Sequence, residues 1–226
     1  MTAFEGTVLV LGANGETGRR VVKNLHNKRI QVRAMVRAED RIHSTPELSL
    51  HGVETIIGSV LSMDDLRRAM RGIRAVISAL GARFHYTQEE IEAVEALAPS
   101  YYIAVARESG VEQIVMCSSL STETPERIPQ LAPILVQKRR GELAVINSGI
   151  PYTIVRPGGL TNAPASHQVL VARKLDRSGM ISREDVAEVL VQALLQPEAR
   201  NKIVEIIAQE GAGAADREKL FVLSAN

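Results

Sequence analysis

Short apolar runs alternate along the chain with longer segments whose apolar residues recur at helical spacing. The first run, Thr7 to Leu11, precedes a glycine-rich turn, and Thr17 to Asn27 then carries Val21, Val22 and Leu25 on one face. Short runs bounded by turn residues are typical of buried strands, whereas recurrence after three and four residues is typical of amphipathic helices. The alternation predicts repeated strand–helix units, and hence a parallel sheet covered by helices.

The same pattern extends to about residue 207. It predicts strands at Thr7–Leu11, Ile30–Val36, Val53–Ile57, Arg74–Ala79, Gln113–Cys117 and Tyr152–Arg156, with further strands at Val169–Ala172 and Lys202–Ile207. It predicts helices at Thr17–Asn27, Asp64–Met70 and Pro133–Asn147, one from Ser182 to Gln196, and a helical region from Thr87 to Ser109. Pro99 should kink that region or start a new helix there. Residues 121–133 should be irregular.

The organisation is that of one domain. No internal repeat or linker interrupts the alternation, so we expect a single doubly wound, Rossmann-type α/β domain over residues 1–226. A small substrate-side region should begin near Pro157. The small residues from Gly211 to Ala215 predict a flexible joint near the end of the chain.

Composition excludes several classes of function. The formal net charge is +1 and aromatic residues make up 3% of the chain, so neither a nucleic-acid-binding surface nor attraction to an anionic membrane is expected. Cys117 is the single cysteine, and no histidine is followed by another four residues later; a disulfide and a metal site are therefore not expected. Without a secretory pattern or a long apolar run, we expect a cytoplasmic monomer or weak homodimer that acts on a small molecule.

The strongest local signal is a glycine-rich turn between the first strand and the first helix. Its residues are Gly12, Ala13, Asn14, Gly15, Glu16, Thr17 and Gly18. In a dinucleotide fingerprint, such glycines permit a sharp turn, close approach of the backbone to a pyrophosphate, and tight helix–strand packing. A glycine-rich turn without a ligand is the alternative, and a phosphate loop of the nucleotide-triphosphatase type is disfavoured because no Gly-Lys-Ser/Thr follows.

The end of the second strand indicates which dinucleotide binds. An acidic residue there typically bonds the ribose 2′-hydroxyl of NAD, whereas arginine accommodates the 2′-phosphate of NADP. Arg37 follows Val36 directly, with Arg41 four residues later, and Glu39 and Asp40 lie past the strand end. We therefore predict NADP(H), although Arg37 as a solvated surface charge is the alternative.

These segments resemble the atypical short-chain dehydrogenase/reductases with an NADP-binding, NmrA-like core, and especially the biliverdin-IXβ reductase/flavin reductase group. The resemblance spans about residues 7–207. Besides the glycine-rich turn and Val36-Arg37, the matching segments are Leu80-Gly81-Ala82-Arg83, Cys117-Ser118-Ser119, Ser148-Gly149-Ile150-Pro151-Tyr152 and Arg156-Pro157-Gly158-Gly159.

The resemblance implies a role for each matching residue. Arg37 and Arg41 would flank the 2′-phosphate, and Ser59 and Val60 would lie against the adenine, although Ser59 replaces the aspartate common in the family. Bordering the ribose and nicotinamide would be Ala79, Leu80, Gly81, Arg83, Ser118, Ser119, Lys138, Pro157, Gly158 and Gly159. Of these, Lys138 would bind the nicotinamide ribose, and Ser118 and Ser119 would lie near the reacting substrate.

The residues available for chemistry are few. In the wider superfamily a Tyr-x-x-x-Lys pair supplies the proton, but Ile134 stands four residues before Lys138. The chain therefore fits hydride delivery to a flat, conjugated acceptor, such as FMN, FAD or a biliverdin-type tetrapyrrole. The proton would come from water or from a weak donor such as Ser119, and Lys138 is the other candidate catalytic residue. A strand-end serine more often serves as a cap or cofactor contact.

Two other functions remain open from the residues. One is a non-catalytic NADP(H)-binding redox sensor, regulator or scaffold protein, which would need the same nucleotide site. The other is a sugar-nucleotide epimerase, against which the missing tyrosine counts. Cys117 is expected to be a small buried hydrophobe, because no base that could activate it is evident.

Overall fold

The computed structural model describes residues 4–166, 168–209 and 220–222, and a large sheet forms its centre. The strands are β1 (Thr7–Leu11), β2 (Gln31–Val36), β3 (Val53–Ile57), β4 (Ile73–Ser78), β5 (Gln113–Cys117), β6 (Tyr152–Pro157), β7 (Gly159–Thr161), β8 (Val169–Ala172), β9 (Met180–Ser182) and β10 (Lys202–Ala208). The central sheet has the order β3-β2-β1-β4-β5-β6-β10-β8, and β7 pairs with β9 in a second, small sheet. Neighbours in the central sheet run parallel except β8, which is antiparallel to β10.

Helices cover both faces of the sheet. They are α1 (Gly18–Asn27), α2 (Asp40–His43), α3 (Met63–Met70), α4 (Gln88–Glu92), α5 (Ala98–Glu108), α6 (Ala132–Ile146) and α7 (Arg183–Leu195). One buried cluster includes Val8 and Val10 of β1 with residues of α1 and α7. The other includes Leu9 and Leu11, the alternate positions of β1, with residues of α3, α5 and α6. Because successive side chains of a strand point to opposite faces, one strand supplies both cores.

Three helices begin at residues whose side chains cap the first turn. The hydroxyl oxygens of Ser62 and Ser182 accept hydrogen bonds from the amides three residues later, at 3.3 and 3.0 Å. Thr87 and Glu90 form a complete capping box at the start of α4. Pro99 lies in the first turn of α5, which confirms one of the two predictions for it.

The predicted strands and helices are confirmed to within about two residues at their ends. The expected doubly wound, single-domain α/β sheet is likewise confirmed. The features that were not predicted are the β7–β9 sheet, the short α2, a π-helical turn at Ala93–Leu97 between α4 and α5, and short 3-10 turns at Pro46–Ser49, Pro125–Arg127 and Pro197–Ala199. The joint expected at Gly211–Ala215 lies outside the described residues. Within the described parts of the chain, no helix is both long and apolar enough to cross a membrane.

Candidate active site

The predicted site residues follow parallel strands at one edge of the central sheet. Gly12 follows β1 and Ala79 follows β4, and these adjacent strands stand where the strand order reverses. The backbone holds the two ends together, because the Ala79 amide donates to the Leu11 carbonyl at 3.0 Å. Open α/β sheets bind ligands at this kind of switch point, outside the carboxyl ends of the strands.

The glycine-rich turn has the close backbone approaches that the sequence predicts. Gly12 has φ +75°, and a Cβ there would lie 2.8 Å from the Ala79 carbonyl oxygen. The Gly15 amide donates to the Gly12 carbonyl at 2.9 Å and closes the turn. A Cβ on Gly18 would overlap that same carbonyl oxygen. A side chain is therefore excluded at Gly12 and at Gly18, which fits a pyrophosphate held by backbone amides at the start of α1.

Neither Glu16 nor Thr17 of the turn offers an unpaired, exposed side chain to a ligand. The Glu16 carboxylate pairs with Arg19 at 2.8 Å and with Arg20 at 3.1 Å, and Arg20 also bonds Glu184 of α7 at 3.1 Å. Burial opposes its ionisation, but the two arginines outweigh burial and lower the pKa of Glu16. Thr17 is buried and makes no side-chain cap. Arg20 thus joins α1 to α7, and a contribution of Glu16 to a cofactor would come from its backbone.

The predicted 2′-phosphate residues lie beyond β2. Arg37 is exposed directly after the strand, and Arg41 is exposed on the short helix α2. The Gly58 amide donates to the Val36 carbonyl at 2.9 Å, so the end of β3 lies beside the end of β2. Arg37 and the segment after β3 therefore both lie at the carboxyl ends of the parallel strands.

The predicted adenine residues follow β3. The Ser59 hydroxyl accepts a hydrogen bond from the Leu61 amide at 3.1 Å, and Val60 packs partly against the core. The Ser59 amide donates to the Asp65 carboxylate at 2.9 Å. The other oxygen of Asp65 pairs with Arg68 at 2.8 Å, so this carboxylate is engaged within the protein and holds the segment after β3 against α3.

The loop after β4 is tied to a buried ion pair. Ala79 and Leu80 are half-buried and Gly81 and Arg83 are exposed. The Ala82 amide donates to Oε1 of Glu95 at 2.7 Å, and Lys138 Nζ lies 2.8 Å from Oε2 of the same carboxylate. The side chains of Glu95 and Lys138 are 2% and 11% exposed. Burial disfavours the Lys138 ammonium, but Glu95 outweighs burial and raises the pKa of Lys138.

A second buried carboxylate, Glu142, lies beneath the ends of β5 and β6. It accepts hydrogen bonds from Ser118 at 2.6 Å, from Thr122 at 3.1 Å, and from Arg156 at 2.9 and 2.7 Å. Arg139 also lies 2.9 Å from it. Burial opposes ionisation of Glu142, but Arg156 and its other donors outweigh burial and lower its pKa. The hydroxyl of Ser118, a predicted cofactor residue, is therefore used in this network.

Arg156 extends the network toward the late strands. Its guanidinium lies 2.9 Å from Glu123 and 3.8 Å from Glu205 of β10. The Glu205 carboxylate also accepts the Leu175 amide at 2.6 Å. Ser118 and Leu120 donate backbone hydrogen bonds to β6 at 2.7 and 2.9 Å. The network thus joins β5, β6, β10 and the segment around Leu175.

A cavity of about 380 Å³ opens above this network. Its lining includes two predicted site segments, Ser119 and Pro157–Gly159. The rest of its lining consists of residues 120, 121, 123, 124, 127, 128, 131, 156, 174–179 and 205. Among the described residues, the Ser119 hydroxyl has no hydrogen-bond partner, in contrast to that of Ser118. Ser121 has φ +65°, a conformation that non-glycine residues rarely adopt and that concentrates at functional sites.

The segment at Gly179 and Met180 packs directly against Gly158 and Gly159, and its Gly179 forms part of one wall of the cavity. The Gly159 amide donates to the Gly179 carbonyl at 2.9 Å. A Cβ on Gly158 would overlap that carbonyl oxygen, and a Cβ on Gly159 would overlap the Met180 sulfur. The small β7–β9 sheet is built on this contact. The glycines were identified from the sequence, but the strands that they bring together were not, because each has only three residues.

No tyrosine lines the cavity, and each of the four is described. Tyr102 is completely buried in the core, Tyr101 packs against the same core, Tyr152 begins β6 at the opposite edge of the sheet, and Tyr86 lies in the loop after β4. Cys117 is buried, as expected, and burial raises the pKa of its thiol to about 11. It is therefore protonated at neutral pH and a poor nucleophile. Among the described residues, no group of three or more histidine, cysteine, aspartate or glutamate side chains is arranged to hold a metal.

Comparison with known proteins agrees with this geometry. Residues 12–197 match a family model described as NAD(P)H-binding. The chain is 31% identical to YhfK of Bacillus subtilis, described as an uncharacterized sugar epimerase, over 88% of this chain and 92% of that protein. It is 30% identical to sanguinarine reductase of Eschscholzia californica, over 94% of this chain and 93% of that protein.

A solved structure shows the same fold over nearly the whole chain. A Bacillus halodurans protein, named as a candidate NAD-dependent epimerase/dehydratase, superposes with a TM-score of 0.87 at 29% identity. The match covers 96% of this chain and 99% of that one. From the family match, the shared fold and the backbone cradle at Gly12–Gly18, we conclude that the chain belongs to the NAD(P)H-binding, NmrA-like family of Rossmann-fold epimerases and reductases.

Proposed function

We propose that the protein is an NADPH-dependent reductase that transfers hydride to a flat, conjugated acceptor such as a flavin or a linear tetrapyrrole. The observation that carries the proposal is the cavity beside Ser119 and Gly158-Gly159, where the family resemblance places the nicotinamide. An acceptor in this cavity would lie at the carboxyl edge of the sheet, beside the nucleotide site. The relative named sanguinarine reductase supports the assignment of reductase activity.

The described residues suit a reaction that needs little acid catalysis. When bound, NADPH supplies a hydride, which carries both electrons, and the reduced acceptor then takes one proton. Ser119, with its unengaged hydroxyl, would orient the acceptor and pass a proton to it from water. Lys138 holds its proton beside Glu95, so we assign it to binding the nicotinamide ribose rather than to proton donation. The absence of tyrosine from the lining favours reductase chemistry over an epimerase that depends on a tyrosine acid.

Charged residues around the cavity favour an acceptor with an acidic arm. Arg127, Lys174 and Arg177 line it as exposed cations. Among the described residues none of them forms a salt bridge, although Lys174 contributes to the lowered pKa of Glu123. Asp176 is an opposing lining charge, whereas Arg156 is already neutralised by Glu142 and Glu123. A phosphate or carboxylate, as carried by FMN, FAD and biliverdin, would be attracted to these cations.

The preference for NADPH over NADH is assigned to Arg37 and Arg41. Both are exposed beyond β2, where a 2′-phosphate would lie in a Rossmann-type site. Guanidinium groups bind phosphate through paired, charge-assisted hydrogen bonds, which NADH cannot accept at this position. We further propose that the protein acts in the cytoplasm as a monomer or weak homodimer.

An acceptor screen tests the proposed function. Purified protein is mixed with NADPH or NADH and with FMN, FAD or a biliverdin isomer, and loss of the reduced nicotinamide absorbance is followed. We expect oxidation of NADPH that depends on both protein and acceptor, and slower oxidation of NADH. Tight NADPH binding without turnover of any acceptor would contradict the proposal and favour a cofactor-sensing protein instead.

A further inference from the structure

Glu95 makes two contacts that no motif of the sequence accounts for. One carboxylate oxygen accepts the Ala82 amide at 2.7 Å, and the other lies 2.8 Å from Lys138 Nζ. The first contact holds the loop after β4, and the second holds a side chain of α6. A single carboxylate therefore sets the spacing between two segments that are 43 and 13 residues from it in the chain.

The backbone around Glu95 is unusual. It lies in the π-helical turn Ala93–Leu97, between α4 and α5. Helix α6 packs directly against this turn at Gly141, where a Cβ would overlap the Glu95 carbonyl oxygen. Gly141 and Lys138 are three residues apart and so lie on one face of α6. The same face thus contacts both the backbone and the side chain of Glu95. Single π-helical turns occur frequently at functional sites.

Water does not stabilise the Glu95 carboxylate, because its side chain is only 2% exposed. A buried carboxylate is tolerated when it is paired and its oxygens are hydrogen-bonded, and both conditions hold here. A buried ion pair is in general weak evidence for stability, since two apolar side chains often serve as well. The Glu95–Lys138 pair instead suits a role in positioning groups that contact a ligand.

We propose that Glu95 is a positioning residue of the cofactor site, which fixes the loop at Ala82 and the Lys138 ammonium at one spacing around the nicotinamide ribose. The proposal rests on the placement of that ribose between the loop and Lys138, as assigned under the proposed function. Glu95 itself acts through Ala82 and Lys138. It is not assigned a contact with substrate.

The charged and titratable groups around Lys138 predict a distinctive pH dependence. Glu95 lies on the π-helical turn, Cys117 on β5 and Glu142 on α6, and burial alone disfavours the ammonium. The charge of Glu95 also contributes to raising the pKa of Tyr102 on α5. Without the Glu95 carboxylate, burial would dominate and the pKa of Lys138 would fall. Lys138 would then lose its charge as the pH rises.

The experiment measures NADPH affinity by calorimetry from neutral to basic pH, where the 2′-phosphate keeps its full charge, without any acceptor. Wild-type affinity should change little over this range. Glu95→Gln keeps an oxygen for the Ala82 amide but removes the charge, so its affinity should fall with rising pH, to about 10-fold weaker at the basic end, the effect of losing one charged hydrogen bond. Glu95→Asp, which retains the carboxylate, should restore the flat profile.

Two further variants make the result specific. Glu92→Gln is the matched control, because Glu92 pairs with Arg140 at the surface of the same helical region and should leave the profile unchanged. Glu95→Gln/Lys138→Met should bind NADPH weakly at every pH, with no new inflection. An unchanged profile in Glu95→Gln, or an equal loss at every pH, would overturn the proposal.

If Glu95→Gln does not fold, Lys138→Met alone carries the test. It should weaken NADPH about 10-fold at every pH, and unchanged affinity would overturn the proposal. These readouts do not require turnover. Failure of every acceptor in the screen would therefore contradict the proposed reductase function while leaving the role of Glu95 to be decided by binding.

Discussion

The nucleotide half and the acceptor half of the site are built in different ways. The nucleotide half depends on backbone, since Gly12, Gly15 and Gly18 bring a strand, a turn and a helix into contact where no side chain fits. The acceptor half depends on buried charge, since Glu142 and Arg156 hold the strand ends from below. A methyl group should therefore damage the first half, whereas neutralising one charge should damage the second.

The largest expected effect is on stability in the acceptor half. Glu142→Gln leaves Arg156 and Arg139 without their shared buried carboxylate, and should lower the free energy of unfolding by about 3 kcal/mol, as breaking a buried pair typically does. Urea unfolding measures the change. The control is Glu92→Gln, whose exposed pair with Arg140 should contribute about 0–1 kcal/mol. Equal losses in the two variants would contradict the contrast between the halves.

The same carboxylate predicts an acid-sensitive stability. Arg156 and the other donors, acting against burial, hold the pKa of Glu142 below its usual value of 4.5. A lowered pKa in the folded state adds stability above the unfolded pKa, and this stability is lost as the pH falls below about 4.5. Unfolding of the wild type should therefore show a steeper acid loss than Glu142→Gln. Parallel curves would show that Glu142 does not contribute.

The second largest effect is on nucleotide binding. Gly12→Ala places a Cβ 2.8 Å from the Ala79 carbonyl oxygen at a residue with φ +75°, and should weaken NADPH by about 100-fold, or about 3 kcal/mol. Gly72→Ala is the matched control, because Gly72 has φ +70° with open space around its Cβ position. It shares the backbone strain but should bind NADPH as the wild type does. Calorimetric titration of both variants distinguishes local strain from loss of the cradle.

A smaller effect is expected on the choice of cofactor. Arg37→Ala removes a proposed charge-assisted contact with the 2′-phosphate, which should weaken NADPH by about 10-fold or more and leave NADH nearly unchanged. Arg107→Ala, an exposed arginine on α5, is the control. Titrations with both cofactors give the ratio directly. An equal loss of NADPH and NADH would remove Arg37 from the account of specificity.

The smallest effect concerns the acidic arm of the acceptor. Arg127→Gln removes one exposed cation from the cavity lining, and should lower kcat/KM for FMN by about 3-fold, as expected for an exposed charge pair. Riboflavin, which lacks the phosphate, is the internal control and should react at the same rate with both proteins. A loss of the same size with riboflavin would indicate a change in cavity shape rather than in charge.

The sequence predicts the nucleotide half well because its constraints are local. The turn from Gly12 to Gly18 lies within seven residues, and its glycines are needed by the backbone that contains them. The positions of the main strands and helices also follow from the regular alternation of apolar runs. The glycines that the local turn requires are therefore the same residues that the packing of β1 against α1 requires.

The buried charged contacts of the site, and the small sheet beside the acceptor cavity, could not be predicted in the same way. Glu142 and Ser118 form a hydrogen bond although they are 24 residues apart in the chain, and Glu95 and Lys138 are 43 residues apart. A glutamate on a helix ordinarily indicates a solvated face, and nothing nearby in the chain shows that these two are buried. The proximity of Gly141 to Lys138 is a possible signal, since a glycine within a helix often marks close packing. The three-residue strands β7 and β9 are too short to give a periodic pattern.

The most direct test of the account fills the acceptor cavity and leaves the nucleotide corner intact. Ile128 lines the cavity and is partly exposed, so Ile128→Trp should block the acceptor without touching the Gly12–Gly18 turn. NADPH affinity and FMN-dependent NADPH oxidation are measured for the wild type and this variant. We predict that the wild type turns over and that the variant binds NADPH normally but loses most turnover. Oxidation of NADPH by the variant at the wild-type rate would contradict the placement of hydride transfer in this cavity.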